Sequence, residues 1–245
     1  MTKTKRPITL KPERLVVKDN ALIMSSYSLT VEEQRLILAC IQKANMKKDS
    51  LKSDAVEILL SVHEFAEIFD VSMSAAYRAL SSSSEKLYDR SIKIDDEGKV
   101  RKIRWLQEKA VYESGKIKLV FSSVVSKHIK DVVTTQTAYR IAQATQLRTQ
   151  HSIRLFEIFQ AVIETGSQEG VWEVSVAEFK EILEIEGSYE RWADLKKKVI
   201  TPALNLINKN TSLKVEMEIA GKDGKKINVV RFIVFESEQL SLGLT

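Results

Sequence analysis

Two hydrophobic periods alternate along the chain, and they do so twice in the same order. Apolar positions over residues 30–47 recur every three or four, behind Thr30-Val31-Glu32-Glu33. A Ser or Thr followed three residues later by Glu forms a capping box, so a helix is expected there. The apolar run Val56-Glu57-Ile58-Leu59-Leu60 follows, then Ser61-Val62-His63-Glu64, a second capping box opening a short helix. After a turn a longer helix is expected over 74–89. Strands at 92–95 and 100–106 flank Asp96-Glu97-Gly98, with a third at 116–121.

Downstream the order returns. Residues 152–165 have a helical period with Gly166 as C-cap, and Val171-Trp172-Glu173-Val174 is again a short apolar segment. Ser175-Val176-Ala177-Glu178 opens a short helix, and a long one is expected over 189–208. Leu213, Val215, Met217 and Ile219 alternate with Lys214, Glu216 and Glu218, as in a half-buried strand. The turn Gly221-Lys222-Asp223-Gly224 then leads into a strand over 227–235. The likeness reaches identity: residues 61–69 and 175–183 agree at six of nine positions, 114 residues apart.

Helix, strand, helix, turn, helix, hairpin is the order of a winged helix, in which the longer helix after the turn enters a DNA groove. The expected fold is α+β, two tandem winged-helix domains related by an internal pseudo-repeat. Residues 1–18 are expected as a basic flexible tail, 19–133 as the N-terminal domain and 134–245 as the C-terminal domain.

The long helices present different faces. In the second, Trp192, Leu195, Val199, Ala203 and Leu206 make an apolar stripe. Opposite lie Glu190, Asp194, Lys197, Thr201 and Asn205, with Arg191 and Lys198 on one flank and Lys196 nearer the stripe, in reach of a phosphate by snorkelling. Pro202 is expected to bend the helix. In the first, Met73, Ala76, Leu80 and Leu87 are the expected buried stripe. Ala75, Arg78, Ser82 and Glu85 face out there, beside Ser74, Ser81 and Lys86. The candidate DNA-binding residues are Arg191, Asp194, Lys196, Lys197, Lys198 and Thr201 in the second module and Ser74, Arg78, Ser81 and Ser82 in the first, with Lys222 and Lys225 at the second hairpin. The alternative for each helix is an ordinary amphipathic helix with a solvated polar face.

Charge sharpens this picture. The 245 residues hold 38 Lys and Arg against 33 Asp and Glu, a net charge of +5. Residues 1–18 alone carry six basic residues against Glu13, and residues 189–231 ten against five, so each segment is +5 and the remainder is negative. Segregated positive charge attracts phosphate backbones by counterion release. With 44% hydrophobic and 29% charged residues the chain reads as a soluble folded protein. No apolar run approaches the roughly 18 residues of a membrane span, and no signal-peptide core is seen. The single Cys40 points to a reducing, cytoplasmic setting.

Enzyme chemistry finds no support. Neither a Gly-x-x-x-x-Gly-Lys loop nor Gly-x-Gly-x-x-Gly occurs, so no cofactor is expected. His63, His128 and His151 are isolated, without the spacing of a metal site or of a DNA-nicking centre. No catalytic and no metal-binding residue is assigned.

Val17-Lys18-Asp19-Asn20-Ala21-Leu22, then Tyr27-Ser28-Leu29-Thr30 and Glu33-Gln34-Arg35-Leu36, resemble the opening of the theta-type, iteron-binding Rep initiators of plasmid replication. Tyr139-Arg140, Arg154-Leu155-Phe156-Glu157 and Val199-Ile200-x-Pro202-Ala203-x-x-x-Ile207-Asn208 resemble that family's C-terminal module. The likeness runs from about Leu15 to Phe235 in order. It implies a non-enzymatic, nucleoid- or plasmid-associated bacterial protein that binds origin iterons as a monomer and helps open an AT-rich segment. Partners implied are double-stranded DNA, the host chromosomal initiator, the replicative helicase and chaperones. It also implies a homodimer through the N-terminal domain that represses its own promoter at an inverted repeat. The main major-groove contacts would fall on Arg191, Lys196, Lys197 and Lys198. A repressor without initiator activity is the alternative function, and a nicking enzyme the third. For the dimer, strand 116–121 is expected as an open edge with Val120 at the contact, unless a short helix over 122–133 covers it.

Overall fold

The computed structural model describes residues 15–46, 54–96, 98–108, 111–130, 136–163 and 167–236. The chain enters through β1 (Leu15–Asp19) and the short α1 (Asn20–Met24), then the long α2 (Val31–Met46). There follow β2 (Glu57–Ser61), α3 (Val62–Phe69), α4 (Met73–Leu87), the hairpin β3 (Ser91–Asp96) and β4 (Lys99–Arg104), the hairpin β5 (Val111–Glu113) and β6 (Lys116–Val120), and α5 (Ser123–Lys130). β7 (Gln136–Arg140) and α6 (Ile141–Thr145) lead to α7 (Gln150–Val162), β8 (Glu169–Ser175) and α8 (Val176–Ile182). The last helix has three parts: α9 (Trp192–Leu195), a π-helical segment (Lys196–Ile200) and α10 (Thr201–Asn210). The hairpin β9 (Leu213–Asp223) and β10 (Lys226–Glu236) follows.

The internal repeat is structural as well as sequential. β6 lies between β2 and β5, and β10 between β8 and β9, all antiparallel. The facing pairs Ile58–Leu119 and Leu60–Ile117 of the first sheet correspond to Trp172–Phe232 and Val174–Val230 of the second, and all eight side chains are buried. Ser61 Oγ accepts from the Glu64 N–H at 3.1 Å, and Ser175 Oγ from the Glu178 N–H at 3.0 Å. The return bond of the box, from the Ser61 N–H to the Glu64 carboxylate, is 2.8 Å. Both short helices stop on a left-handed residue, Asp70 (φ 49°) and Glu184 (φ 50°), again 114 apart. The N–H groups of Val71 and Ile185 then reach the carbonyls of Ala66 and Lys180 at 3.1 and 2.9 Å, closing the last turn.

That correspondence corrects three expectations. The counterpart of the β9–β10 wing is β5–β6, turned by Ser114 and Gly115, both at positive φ as a tight two-residue hairpin requires. The β3–β4 hairpin, read from sequence as the wing, is an insertion with no equivalent in the second module. Strand 116–121 is not an open edge. β6 is the middle strand of its sheet, the Val120 carbonyl accepts from the Gln107 N–H at 2.9 Å, and the Val120 side chain is buried. A charge at Val120 would therefore strike core, and no dimer contact is assigned to that strand.

Other boundaries shift. The expected tail through Lys18 is already structured from Leu15: β1 pairs antiparallel with β7, from Leu15 opposite Arg140 to Asp19 opposite Gln136, and Val16 and Lys18 are buried. Residues 1–14, Glu97, 131–133 and Gly166 lie outside the described residues. α7 ends at Val162, short of Thr165. β8 then crosses that helix end so closely that a Cβ on Gly170 would stand 2.3 Å from the Val162 carbonyl oxygen. Met73, expected in the core, is exposed, and the buried face of α4 uses Ala76, Leu80, Ser83, Ser84 and Leu87.

α7 joins the two modules. Its Phe159 packs on Trp172 and Phe232, and Phe179 stacks on Phe232 with centroids 5.9 Å apart. Its polar side chains are just as buried. Glu157 receives the Lys18 ammonium, the Tyr139 hydroxyl at 2.5 Å and the Tyr27 hydroxyl at 3.4 Å. Arg154 donates to the Ile23 carbonyl at 2.9 Å, the Ser25 carbonyl at 2.8 Å and the Tyr27 hydroxyl at 2.8 Å. Burial alone would raise the Glu157 pKa, but Lys18, Arg154 and the hydrogen bonds together hold it below the usual carboxylate range. Burial lowers the Lys18 pKa, against the pull of Glu157, and pushes both tyrosines up, so they stay donors.

Removing one partner of a buried ion pair leaves an uncompensated charge. Lys18→Met should therefore cost about 3–5 kcal/mol in urea unfolding at neutral pH. An unchanged midpoint would contradict the assignment. Because the folded-state pKa of Glu157 is depressed, its stabilisation is complete above about pH 4.3 and is lost as pH falls through the folded value. The variant should show a shallower loss in that acid range.

Candidate nucleic-acid interface

The helix-turn-helix turns of the two modules differ in length. Three residues, Asp70, Val71 and Ser72, separate α3 from α4, whereas the second turn runs from Leu183 to Arg191. The longer turn is braced by Lys180, whose ammonium donates to the carbonyls of Ser188 and Tyr189, each at 2.8 Å. Tyr189 is held at φ 52°, a costly backbone for a bulky residue, so the helix starts at Trp192 rather than at Tyr189.

At Pro202, where a bend was expected, the structure shows a widened turn. Its ring nitrogen cannot donate to the Lys198 carbonyl, and the preceding turn widens to a π-helix in which the Thr201 N–H reaches the Lys196 carbonyl. The extra residue shifts the phase of the buried stripe. It runs through Leu195, Val199, Ile200, Ala203 and Ile207, while Trp192 and Leu206 are half-buried. Lys196, Lys197 and Lys198 are all exposed, so Lys196 does not lie along the stripe. Beyond them Thr201, Asn205 and Lys209 follow at intervals of four on the exposed face.

Charge on this face is organised by Asp194. Its carboxylate accepts from Arg191 Nε at 2.8 Å and lies 3.4 Å from Lys198 Nζ. The Arg191 hydrogen bond, with the charges of Arg191 and Lys198, holds its pKa below the usual range. Among the described residues Lys196 and Lys197 have no ion pair. Arg191 and Lys198 are thus partly neutralised, while Lys196 and Lys197 keep their full field. Sequence reasoning grouped Asp194 with the cations because it shares their face, and the structure makes it their counter-ion.

The wing carries a second basic group. β9 runs on through Gly221 and Lys222, so the turn lies at Gly224 and Lys225 rather than at 221–224. Lys222, Lys225 and Lys226 are exposed around the tip, past the last residue paired with β8. A cleft of about 580 Å³ separates the wing base from the helix start, lined by Val176, Tyr189, Trp192, Ile227 and Val229 among others.

In the first module Ser74, Arg78 and Ser82 form an exposed line four residues apart, and Arg78 Nε approaches the Ser74 carbonyl at 3.4 Å. Ser81 is half-buried. Met73 and Tyr77 are exposed on the same helix, an apolar component that the sequence assigned to the core or left unread. Two basic features escaped sequence reasoning: Lys226, one residue past the candidate Lys225, and the cationic β4. Among the described residues no three His, Cys, Asp or Glu side chains converge to hold a metal, and no helix is long and apolar enough to cross a membrane.

The models of the initiator replication protein family match here twice. The one described as Initiator Replication protein, WH1, covers residues 15–160, and that described as Initiator Rep protein, WH2, covers 175–234. The chain belongs to this family. It is a DNA-binding initiator of plasmid replication built from two winged helices. A replication initiation protein from Escherichia coli is 24% identical over 232 residues, which are 94% of this chain and 72% of that protein. The crystal structure of the Pi initiator protein in complex with iteron DNA has a similar fold. It superposes with a TM-score of 0.76 at 18% identity, over 94% of this chain and all of that one.

If Asp194 is a counter-ion, Asp194→Asn should release Arg191 and Lys198 and tighten binding to a random-sequence duplex several-fold at low salt. Fluorescence anisotropy reads this directly. Weaker binding would show instead that the carboxylate accepts from a base, as Asp can from cytosine N4.

Proposed function

We propose that this initiator binds iteron-type direct repeats as sequence-specific double-stranded DNA, with the helix of residues 192–210 as its main reader. The observation that carries the proposal is the row Lys196, Lys197, Lys198, Thr201 and Asn205 on the exposed face of the helix that follows the second helix-turn-helix turn. The iteron DNA bound by the Pi initiator protein, a fold relative, supports this reading. Arg191 supplies a further cation and Asp194 sets its orientation, while Lys222 and Lys225 on the wing take phosphates. In the first module Ser74, Arg78, Ser81 and Ser82 add contacts that are mostly to the backbone.

The protein acts by binding, not by catalysis. It opens the origin with host proteins, the chromosomal initiator and the replicative helicase, under chaperone control. As a homodimer through its N-terminal module it represses its own promoter. Exposed Met73 and Tyr77, one turn apart on α4, support a protein contact on that module.

Lys197→Ala or Thr201→Ala should weaken binding to a selected duplex by about 1–3 kcal/mol if the side chain meets a base edge. Equal losses on selected and random duplexes would make these residues phosphate contacts. Unchanged affinity for both would remove this helix as the reader. Two basic modules covering about 6–10 phosphates should give a log–log salt slope of roughly −5 to −9, whereas a slope of about −2 would mean that one module binds alone.

A further inference from the structure

The inserted β3–β4 hairpin has a use that the winged-helix plan does not explain. Its outer strand reads Lys99-Val100-Arg101-Lys102-Ile103-Arg104, four cations without a carboxylate. Ile92 and Ile94 bury one face of the hairpin, the one to which Lys99 belongs, and Ser91, Lys93, Asp95, Val100, Lys102 and Arg104 share the other. On that face Lys93 and Lys102 stand directly opposite, a like-charge pair that costs a sheet stability. Arg104 is occupied by the Tyr88 carbonyl at 3.1 Å and the Tyr88 ring, while Lys99 and Lys102 have no ion pair among the described residues.

The hairpin is also fixed in place. Ser26 and Lys93 exchange both backbone hydrogen bonds at 2.9 Å, and the neighbouring Ser25 carbonyl is the one that Arg154 grips. Lys93 Nζ lies 3.8 Å from Glu186 Oε1, in the turn that delivers the second module's long helix. The basic strand is therefore anchored beside the second reading head although it belongs to the first module.

We propose that the inserted hairpin is a phosphate clamp. In it Lys102 on one face of the edge strand β4 and Lys99 on the other, at the end next to the turn, straddle the backbone of double-stranded DNA next to the segment read by the second module. The clamp reads no sequence, since its side chains are point charges on a strand and not a helix face in a groove. This inference rests on the assignment of residues 192–210 as a DNA reader.

The test is the Lys99→Gln/Lys102→Gln double variant of the full chain, with Lys197→Ala alongside. The probes are a random-sequence duplex and the tightest duplex recovered from a randomised pool. Each lost phosphate contact removes about 0.9 from the salt slope, so the double variant should be shallower by about 2 on both duplexes, with their affinity ratio unchanged. Ethylation interference on the selected duplex should lose phosphates flanking the second module's segment. An unchanged slope in the double variant, while Lys197→Ala weakens the selected duplex, overturns the clamp and leaves the reader standing. If Lys197→Ala has no effect either, the reader falls with it. Interference lost at a distant segment overturns the placement.

Discussion

Everything in this molecule depends on one buried carboxylate. Glu157 sits in the middle of α7 and is reached by Lys18 from β1, Tyr139 from β7 and Tyr27 from the segment before α2. A lone carboxylate in such a place would be protonated or would unfold the core. Here each neighbour is itself too buried to be satisfied by water, so every member of the group requires the others. The consequence is mechanical. The N-terminal strand, the first module and the helix that packs under the second module's sheet are locked together, and the β3–β4 hairpin is tied to the same group through Ser25 and Ser26. Two winged helices on a flexible linker would read two sites independently, whereas two winged helices sharing this group act as one body.

The modules share one plan but differ around the candidate DNA-binding helices. Strand register, capping serines and left-handed helix ends agree at the level of individual residues. The differences lie in the turn before the long helix, in the π-segment, in the wing and in the inserted hairpin. The second module has the long turn braced by Lys180, the lysine row and a long wing, and the first has a short turn, a small polar face and an apolar component at Met73 and Tyr77. The proposed division between a main reader and a module suited to protein contact rests on these local changes on an unchanged core.

The repeat was legible in the sequence because it rests on short-range signals: capping boxes, period-two alternation and the six positions at which residues 61–69 and 175–183 agree. The candidate Lys197 and Thr201 were legible for the same reason, since the outward face of an amphipathic helix follows from spacing. What escaped depends on long-range pairing. β1 could not be seen because its partner β7 lies more than a hundred residues away, and because Lys18 looks like a solvent residue until Glu157 is placed beside it. The first wing was assigned to the wrong hairpin because two hairpins follow α4 and only pairing with β2 distinguishes them. Strand 116–121 looked like an edge because β5 is too short to announce itself. The phase shift at Lys196 required knowing that Pro202 widens the turn before it instead of merely bending it.

The central claim is that the buried group makes the two winged helices a single rigid reader. The most direct test is to find the two segments that the protein protects on a selected duplex and to insert half a helical turn, about five base pairs, between them. A rigid reader cannot follow half a turn of rotation, so affinity should fall to that of one module on one segment. Affinity kept at the original level, with both segments still protected, would mean that the modules swing independently, and would contradict the account.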